Sequence, residues 1–122
     1  MNILVVDDET DIKDLFLQKF RKEIRSGQTS FTFVFSGEEA LEYLKDRNPE
    51  SVLILSDINM PGMTGLELLR RIRGTHPIAP PQVMMITAYG DDVNRNAAMS
   101  LGADDFLTKP LDFNELKTKL LK

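Results

Sequence analysis

No cysteine occurs in the 122 residues, which excludes a disulfide framework and a thiolate metal centre. No apolar stretch comes near the ~20 residues that a membrane-spanning helix needs. The N-terminus has no basic leader and carries acid at Asp7 and Asp8, so it does not read as a secretion signal. A cytoplasmic protein without a membrane partner is the expectation. Basic excess is lacking too: 15 Lys and Arg stand against 19 Asp and Glu, a formal charge of −4. Contacts to nucleic-acid phosphates need clustered basic side chains, so direct nucleic-acid binding is not expected. The only basic clusters, Arg70-Arg71-x-Arg73 and the set Lys117, Lys119 and Lys122, read as solvated helix faces. The single histidine, His76, lies among Pro77, Pro80 and Pro81 without partner residues nearby in sequence, and reads as a surface loop residue. Repeats, low-complexity tracts and linker-like stretches are also lacking. With 42% apolar and 28% charged residues, the chain reads as one globular domain over residues 1–122.

What the chain has is a set of short apolar runs that each end in a polar group. Ile3–Val6 runs into Asp7 and Asp8, Val52–Leu55 runs through Ser56 into Asp57, and Val83–Ile86 ends at Thr87. A weaker run at Phe106-Leu107 leads to Lys109-Pro110. Phe31, Phe33 and Phe35 alternate with Thr32 and Val34, as expected of an edge strand. Helix-like segments separate the runs, and this alternation argues for βα repeats around a parallel sheet. Open α/β sheets place their sites beyond the strand C-termini. Three carboxylates, a hydroxyl and an ammonium meeting there would hold a divalent cation and a phosphoryl group.

The helix signals are mostly local. Ile12, Leu15, Phe16, Phe20 and Ile24 form an apolar stripe for a first helix. Ser36-x-x-Glu39 and Thr64-x-x-Glu67 have the capping-box spacing, and Asp112-x-x-Glu115 follows the same logic with a Leu111–Leu116 staple. Gly74 and Gly102 suit left-handed positions after helices. Helices are expected near 37–46, 64–73, 91–101 and 112–121. Pro61-Gly62 has the type II turn preference and would reverse the chain just beyond Asp57.

The strings VVDDE, SDINMPGMTG, ITA and TKP, taken in register over the whole chain, resemble the receiver domains of two-component response regulators. The resemblance implies a doubly wound α/β fold, with a five-stranded parallel sheet in the flavodoxin-like order 2-1-3-4-5 and five helices. It implies that Asp57 accepts a phosphoryl group as an acyl phosphate, with Thr87 and Lys109 completing the catalytic set. Mg²⁺ would bind to carboxylates of Asp8 and Asp57 and the backbone carbonyl of Asn59, with Asp7 acting through a bound water. Two or three protein oxygens suffice for an ion that keeps several waters. Lys109-Pro110 would be a cis peptide, and Thr87 and Phe106 would form the switch that alters the face of the fourth helix, fifth strand and fifth helix. Tyrosine is common at the Phe106 position, so the phenol is missing here. Asn59 and Tyr89 would overlook the acyl phosphate. The implied partners are a histidine kinase or phosphotransfer protein, and an output domain or docking protein. A monomer or a phosphorylation-linked homodimer is expected, as a free-standing receiver or as the N-terminal module of a longer regulator. Such a module turns over no outside metabolite, so it is not expected to be an enzyme in that sense.

Each residue also has a plainer reading. Asp57 could cap a helix or a turn, Asp8 could cap the first helix, Lys109 could decorate the surface, Thr87 could be an ordinary strand residue and Phe106 could be core. Two other classes fit worse. An aspartyl phosphatase or mutase typically has Asp-x-Asp after its first strand, whereas Asp57-Ile58-Asn59 follows the third. A flavin carrier needs a Ser/Thr/Gly-rich phosphate loop where Asp7-Asp8-Glu9 stands.

Overall fold

The computed structural model describes residues 1–48, 52–75 and 80–121. His76 and Pro77, expected in a surface loop, and Lys122 lie outside the described residues. Five parallel strands, β1 (Asn2–Val6), β2 (Ser30–Val34), β3 (Val52–Asp57), β4 (Gln82–Ala88) and β5 (Asp105–Lys109), form one sheet in the order β2-β1-β3-β4-β5. The helices are α1 (Ile12–Lys19), α2 (Arg21–Arg25), α3 (Gly37–Leu44), α4 (Gly65–Thr75), α5 (Asp92–Ser100) and α6 (Phe113–Leu120).

Both sheet faces are covered, which is why the strand runs are continuously apolar. Side chains alternate across the sheet with period two. Leu4, Val6, Ile54 and Met85 join the core under α3, α4 and α5. Ile3, Val5, Leu55 and Ile86 join the core under α1, α2 and α6, where Phe16, Phe20, Phe31 and Phe113 pack as an aromatic cluster. β2 lies at the sheet edge as its alternation implied, but ends at Val34, one residue short of Phe35.

The first helix departs from the expected single segment. At Phe20 the backbone leaves helical geometry (φ −105°, ψ 20°), dividing it into α1 and α2, so the described residues form six helical segments rather than five. The expected fourth and fifth helices are therefore α5 and α6. Leu15, on the expected buried stripe, is exposed, while Phe16 and Phe20 are fully buried. Gly74 does not stop α4, which runs on to Thr75; Gly102 does adopt the left-handed conformation (φ 97°).

The caps form in half. Ser36 and Thr64 accept from the backbone N–H of Glu39 and Glu67, at 3.1 and 3.2 Å. The reciprocal carboxylate contact is replaced in both: Glu39 accepts from the Ser36 hydroxyl, and Glu67 accepts from Arg70 and Arg71. Asp112 accepts from Asn114 and Glu115 N–H. Arg73 is not part of a solvated face. Its guanidinium donates to the carbonyls of Pro81 (2.6 Å) and Gly102 (2.7 Å) and pairs with Asp104 (3.1 Å). That clamp ties the end of α4 to the loops leading into β4 and β5.

Candidate functional site

Register brings the polar ends of the strands together. β1 and β3 pair with Val6 opposite Ser56, so Asp7 and Asp57 emerge side by side at the sheet's C-terminal edge. β4 carries Thr87 one step beyond Ile86, the partner of Asp57, and β5 sets Lys109 opposite Ala88. Asp7 and Asp57 are each only 2% exposed. Asp8, next along the chain, is the more accessible of the three acids. One carboxylate oxygen from each of Asp7, Asp8 and Asp57 lies within 4.8 Å of the others.

The two carboxylates at the floor differ in their partners. Asp57 Oδ2 accepts from Lys109 Nζ at 2.9 Å, and its Oδ1 accepts from Asn59 N–H at 3.3 Å. Asp7 Oδ1 accepts from Glu9 N–H at 2.9 Å. Burial holds the Asp7 carboxyl above its ordinary range, and neighbouring Asp57 adds to this against the opposing pull of the Glu9 N–H and Lys109. For Lys109, burial alone would lower the ammonium's pKa. The hydrogen bond to Asp57 and the charges of Asp57, Asp7 and Glu9 outweigh it and raise the value.

Asp57 does cap the turn that follows β3, its Oδ1 accepting from Asn59 N–H, but it caps no helix, and the plainer readings of Asp8 and Lys109 do not hold. α1 begins after Asp11 with no side-chain cap, so Asp8 caps nothing there. Asp57 is the last residue of β3, eight residues before α4. Lys109 is directed to a buried acid rather than to bulk water. The Lys109-Pro110 peptide is cis, as the resemblance implied.

Thr87 is 1% exposed and its hydroxyl donates, weakly at 3.4 Å, to the Ala88 carbonyl rather than to Asp57. Phe106 belongs to neither core. It is half-buried beneath the guanidinium of Arg95, 5.3 Å from its ring centre. Asn59 is exposed and Tyr89 is 86% exposed, both at the rim.

Three residues that sequence reasoning did not single out shape this site. Gly65 opens α4 with its N–H on the Ile58 carbonyl at 2.8 Å, and a Cβ there would collide with the Asp57 carbonyl. Its signal was a glycine inside a helix-start motif, where alanine would otherwise be preferred. Arg95 covers Phe106. Glu9 lines, with Asp7, Tyr89 and Lys109, a cleft of about 630 Å³. The acid string at residues 7–9 carried the signal for Glu9, but only the first two acids have a familiar role.

Three close carboxylates supply hard oxygen donors of the kind a divalent cation takes. An ammonium on the central acid supplies positive charge where a phosphoryl group would gain negative charge. The acidic pocket is therefore compatible with a metal ion.

Comparison with known proteins gives the family. The family model described as "Response regulator receiver domain" matches residues 3–121. Response regulator RppA of Synechocystis sp. is 37% identical over 120 residues, covering 98% of this chain and 49% of the relative. The DNA-binding transcriptional regulator NtrC of Escherichia coli K12 is 40% identical over 113 residues, covering 93% of this chain and 22% of the relative. The chain thus spans about half or less of these relatives. Among solved structures, the receiver domain of NtrX from Brucella abortus matches with a TM-score of 0.79 at 34% identity, covering 96% of this chain and 92% of that one. A response regulator from Chloroflexus aurantiacus matches with a TM-score of 0.81 at 29% identity, covering 97% and 92%.

Proposed function

The chain belongs to the response regulator receiver domain family, and on that premise we propose that it accepts a phosphoryl group at Asp57 from a histidine kinase or phosphotransfer protein. The observation that carries this reading is the Lys109 ammonium, 2.9 Å from a buried aspartate flanked by two further acids.

The transfer is a simple exchange at phosphorus. A carboxylate oxygen of Asp57 forms a bond to phosphorus as the bond to the donor's imidazole nitrogen breaks. The electron pair stays with that nitrogen, and the product is an acyl phosphate. Asp8, Asp57 and the Asn59 carbonyl would hold Mg²⁺ directly, with Asp7 behind a water. The bound ion supplies positive charge to the phosphoryl oxygens. Lys109 orients Asp57 before transfer, and its compact, mobile ammonium can follow the charge onto the phosphoryl group. The floor position of Asp57 limits access of bulk water, and Asn59 and Tyr89 stand at the rim where a hydrolytic water would approach.

Phosphorylation adds about −1.5 to −2 charge units. The Thr87 hydroxyl, held only by a long hydrogen bond, is free to turn toward the new oxygens. Phe106 then repacks, and the face of α5, β5 and α6 changes. This is a shift between two packings, governed by their differential contacts. The module serves as a cytoplasmic switch rather than an enzyme acting on outside metabolites. It controls an output domain or docking protein as a monomer or a phosphorylation-linked homodimer.

Incubation with acetyl phosphate in magnesium buffer, followed by mass spectrometry of peptides, tests the reading. One phosphoryl adduct is expected at Asp57, absent from Asp57→Asn and abolished by chelation of the metal. An unlabelled Asp57, or equal labelling without a divalent ion, overturns it.

A further inference from the structure

α3 and α4 pack side by side, and their C-terminal halves leave between them a groove of about 530 Å³. Each helix returns the chain from the C-terminal end of one parallel strand to the start of the next. The groove therefore stands at the pole of the sheet opposite Asp57. Leu41 and Leu44 give it an apolar lining, and Lys45, Arg70 and Arg71 give it charge; among the described residues, no acid lines it. On a chain of net charge −4, this is a spot of opposite sign.

Two further features belong to this groove. Glu67 accepts from Arg70 Nη2 at 2.7 Å and from Arg71 Nε at 3.0 Å. One carboxylate thus holds two adjacent guanidiniums in place and leaves the pair with a positive charge. Long side chains held in advance lose less freedom when a partner arrives. The second feature is Gly74, which sits inside α4 where alanine would favour the helix more. It does not adopt a left-handed conformation, and a Cβ there would meet nothing within 4 Å. Neither its backbone nor its packing within the chain calls for glycine. Its place on the groove does, because another backbone can come close where no side chain stands.

We propose that this groove docks an acidic amphipathic helix of a partner protein, with its apolar side chains on Leu41 and Leu44 and its carboxylates on Lys45, Arg70 and Arg71. A groove between two helices takes the apolar face of a third. Guanidinium forks match carboxylates in geometry as well as charge. A nucleic acid fits less well: its phosphates would meet three cations on an otherwise acidic chain, and its backbone has nothing to place on the leucines. The docking does not depend on Asp57 being a phosphoacceptor.

The test uses a displayed library of helical peptides with leucines at i, i+3 and i+7 spacing. Their remaining positions are drawn from Glu, Gln, Lys and Ala, and the library is selected against the full chain. Glu-rich peptides should be recovered. One of them, synthesised and titrated into the chain, should shift the amide resonances of Leu41, Leu44 and Gly74. Its affinity should fall about tenfold when Arg70→Glu and Arg71→Glu are combined, the scale of two exposed pairs lost and turned to repulsion. Gly74→Leu, which fills the groove without adding charge, should lower it as far while melting no lower than the unsubstituted chain. Recovery of no binder, of binders without acid, of binders whose shifts map elsewhere, or of binders indifferent to Gly74→Leu would each overturn the proposal. So would tight binding of duplex DNA, or a dimer in sedimentation, that is lost in the arginine variant, since either assigns the groove to another occupant.

Discussion

Lys109 Nζ stands 2.9 Å from Asp57 Oδ2, joining an ammonium that is 38% exposed to a carboxylate that is 2% exposed. One end of the pair can move while the other is fixed in the sheet. Among the described residues, removing the ammonium leaves a buried carboxylate answered only by the Asn59 N–H, so Lys109→Ala should destabilise the fold by about 1–2 kcal/mol, less than for a fully buried pair because solvent reaches the lysine. Labelling at Asp57 should fall about a hundredfold, the scale of losing one preorganised charge partner. Lys109→Arg keeps the charge but offers a planar fork, and should recover stability better than rate. Denaturant melts and labelling kinetics on the two variants decide this; equal recovery of both quantities by arginine would contradict it.

Crowding of the acids is felt at Asp7. Its carboxyl is held above the ordinary value near 3.8 chiefly by burial, with Asp57 adding to it. A raised carboxyl binds its proton more tightly in the folded chain than in the unfolded one. Stability therefore falls as pH climbs from the ordinary value through the folded one, and stays diminished above it. Asp7→Asn keeps an oxygen for the Glu9 N–H and removes the charge. Its Tm at pH 7 without divalent ions should rise by roughly 4 °C, the shift that about 1 kcal/mol gives in a domain of this size. Millimolar Mg²⁺ should raise the Tm of the unsubstituted chain, and raise that of Asp7→Asn less. Thermal melts across pH 3–8 would count against the idea if Asp7→Asn melted no higher at neutral pH.

Gly65 ties the start of α4 to the end of β3. The Cβ of Gly65→Ala would meet the Asp57 carbonyl, Ile58 Cα at 2.8 Å and the Met85 methyl at 2.8 Å. Two of these are backbone atoms with little room to yield, so the cost should be about 2–3 kcal/mol, at the upper end for overpacking. Any survivor must displace the segment that carries Asp57, and should label more slowly than its loss of stability accounts for. Gly74→Ala, where a Cβ meets nothing within 4 Å, is the control and should be neutral or slightly stabilising by helix propensity. A Gly65→Ala protein with unaltered melting and labelling would show that the close approach is not needed.

The parts of this fold that were legible are those whose cause is local. Ile3–Val6 and Val52–Leu55 announce strands covered on both faces, and Asp112 announces a helix start, because the deciding chemistry lies within a few residues. Asp57 and Lys109 were legible only through their register in the whole pattern, being 52 residues apart. What the sequence hid depends on non-local geometry. Arg73 looks like its neighbours Arg70 and Arg71, yet only it reaches Gly102 and Pro81. Leu15 follows the helical stripe but lies over the cleft rather than over the sheet, so it stays exposed. Gly65 resembles any small residue until the Asp57 carbonyl arrives beside it.

Arg95 and Phe106 make the last relationship open to test. The guanidinium lies 5.3 Å from the ring centre and is held on α5 by Asp92 at 3.6 Å. A tyrosine here would offer a hydroxyl to hold one rotamer; phenylalanine has none, and the cation over its face takes that part. A partly exposed cation–π contact is worth about 0.5–1 kcal/mol. Arg95→Ala should therefore shift the equilibrium toward the repacked ring by about two- to fivefold, by the relation between free energy and population. Arg95→Lys should lie between, since ammonium also favours the ring face but stacks less well. Fluorine NMR of a chain with fluorinated phenylalanine, before and after beryllofluoride in magnesium buffer, reads both populations directly. Arg95→Ala should start nearer the beryllofluoride-bound spectrum and move less on addition. If its Phe106 resonance instead matches that of the unsubstituted chain in both conditions, the guanidinium does not bias the ring, and the resting position of Phe106 is set by the backbone of β5 alone.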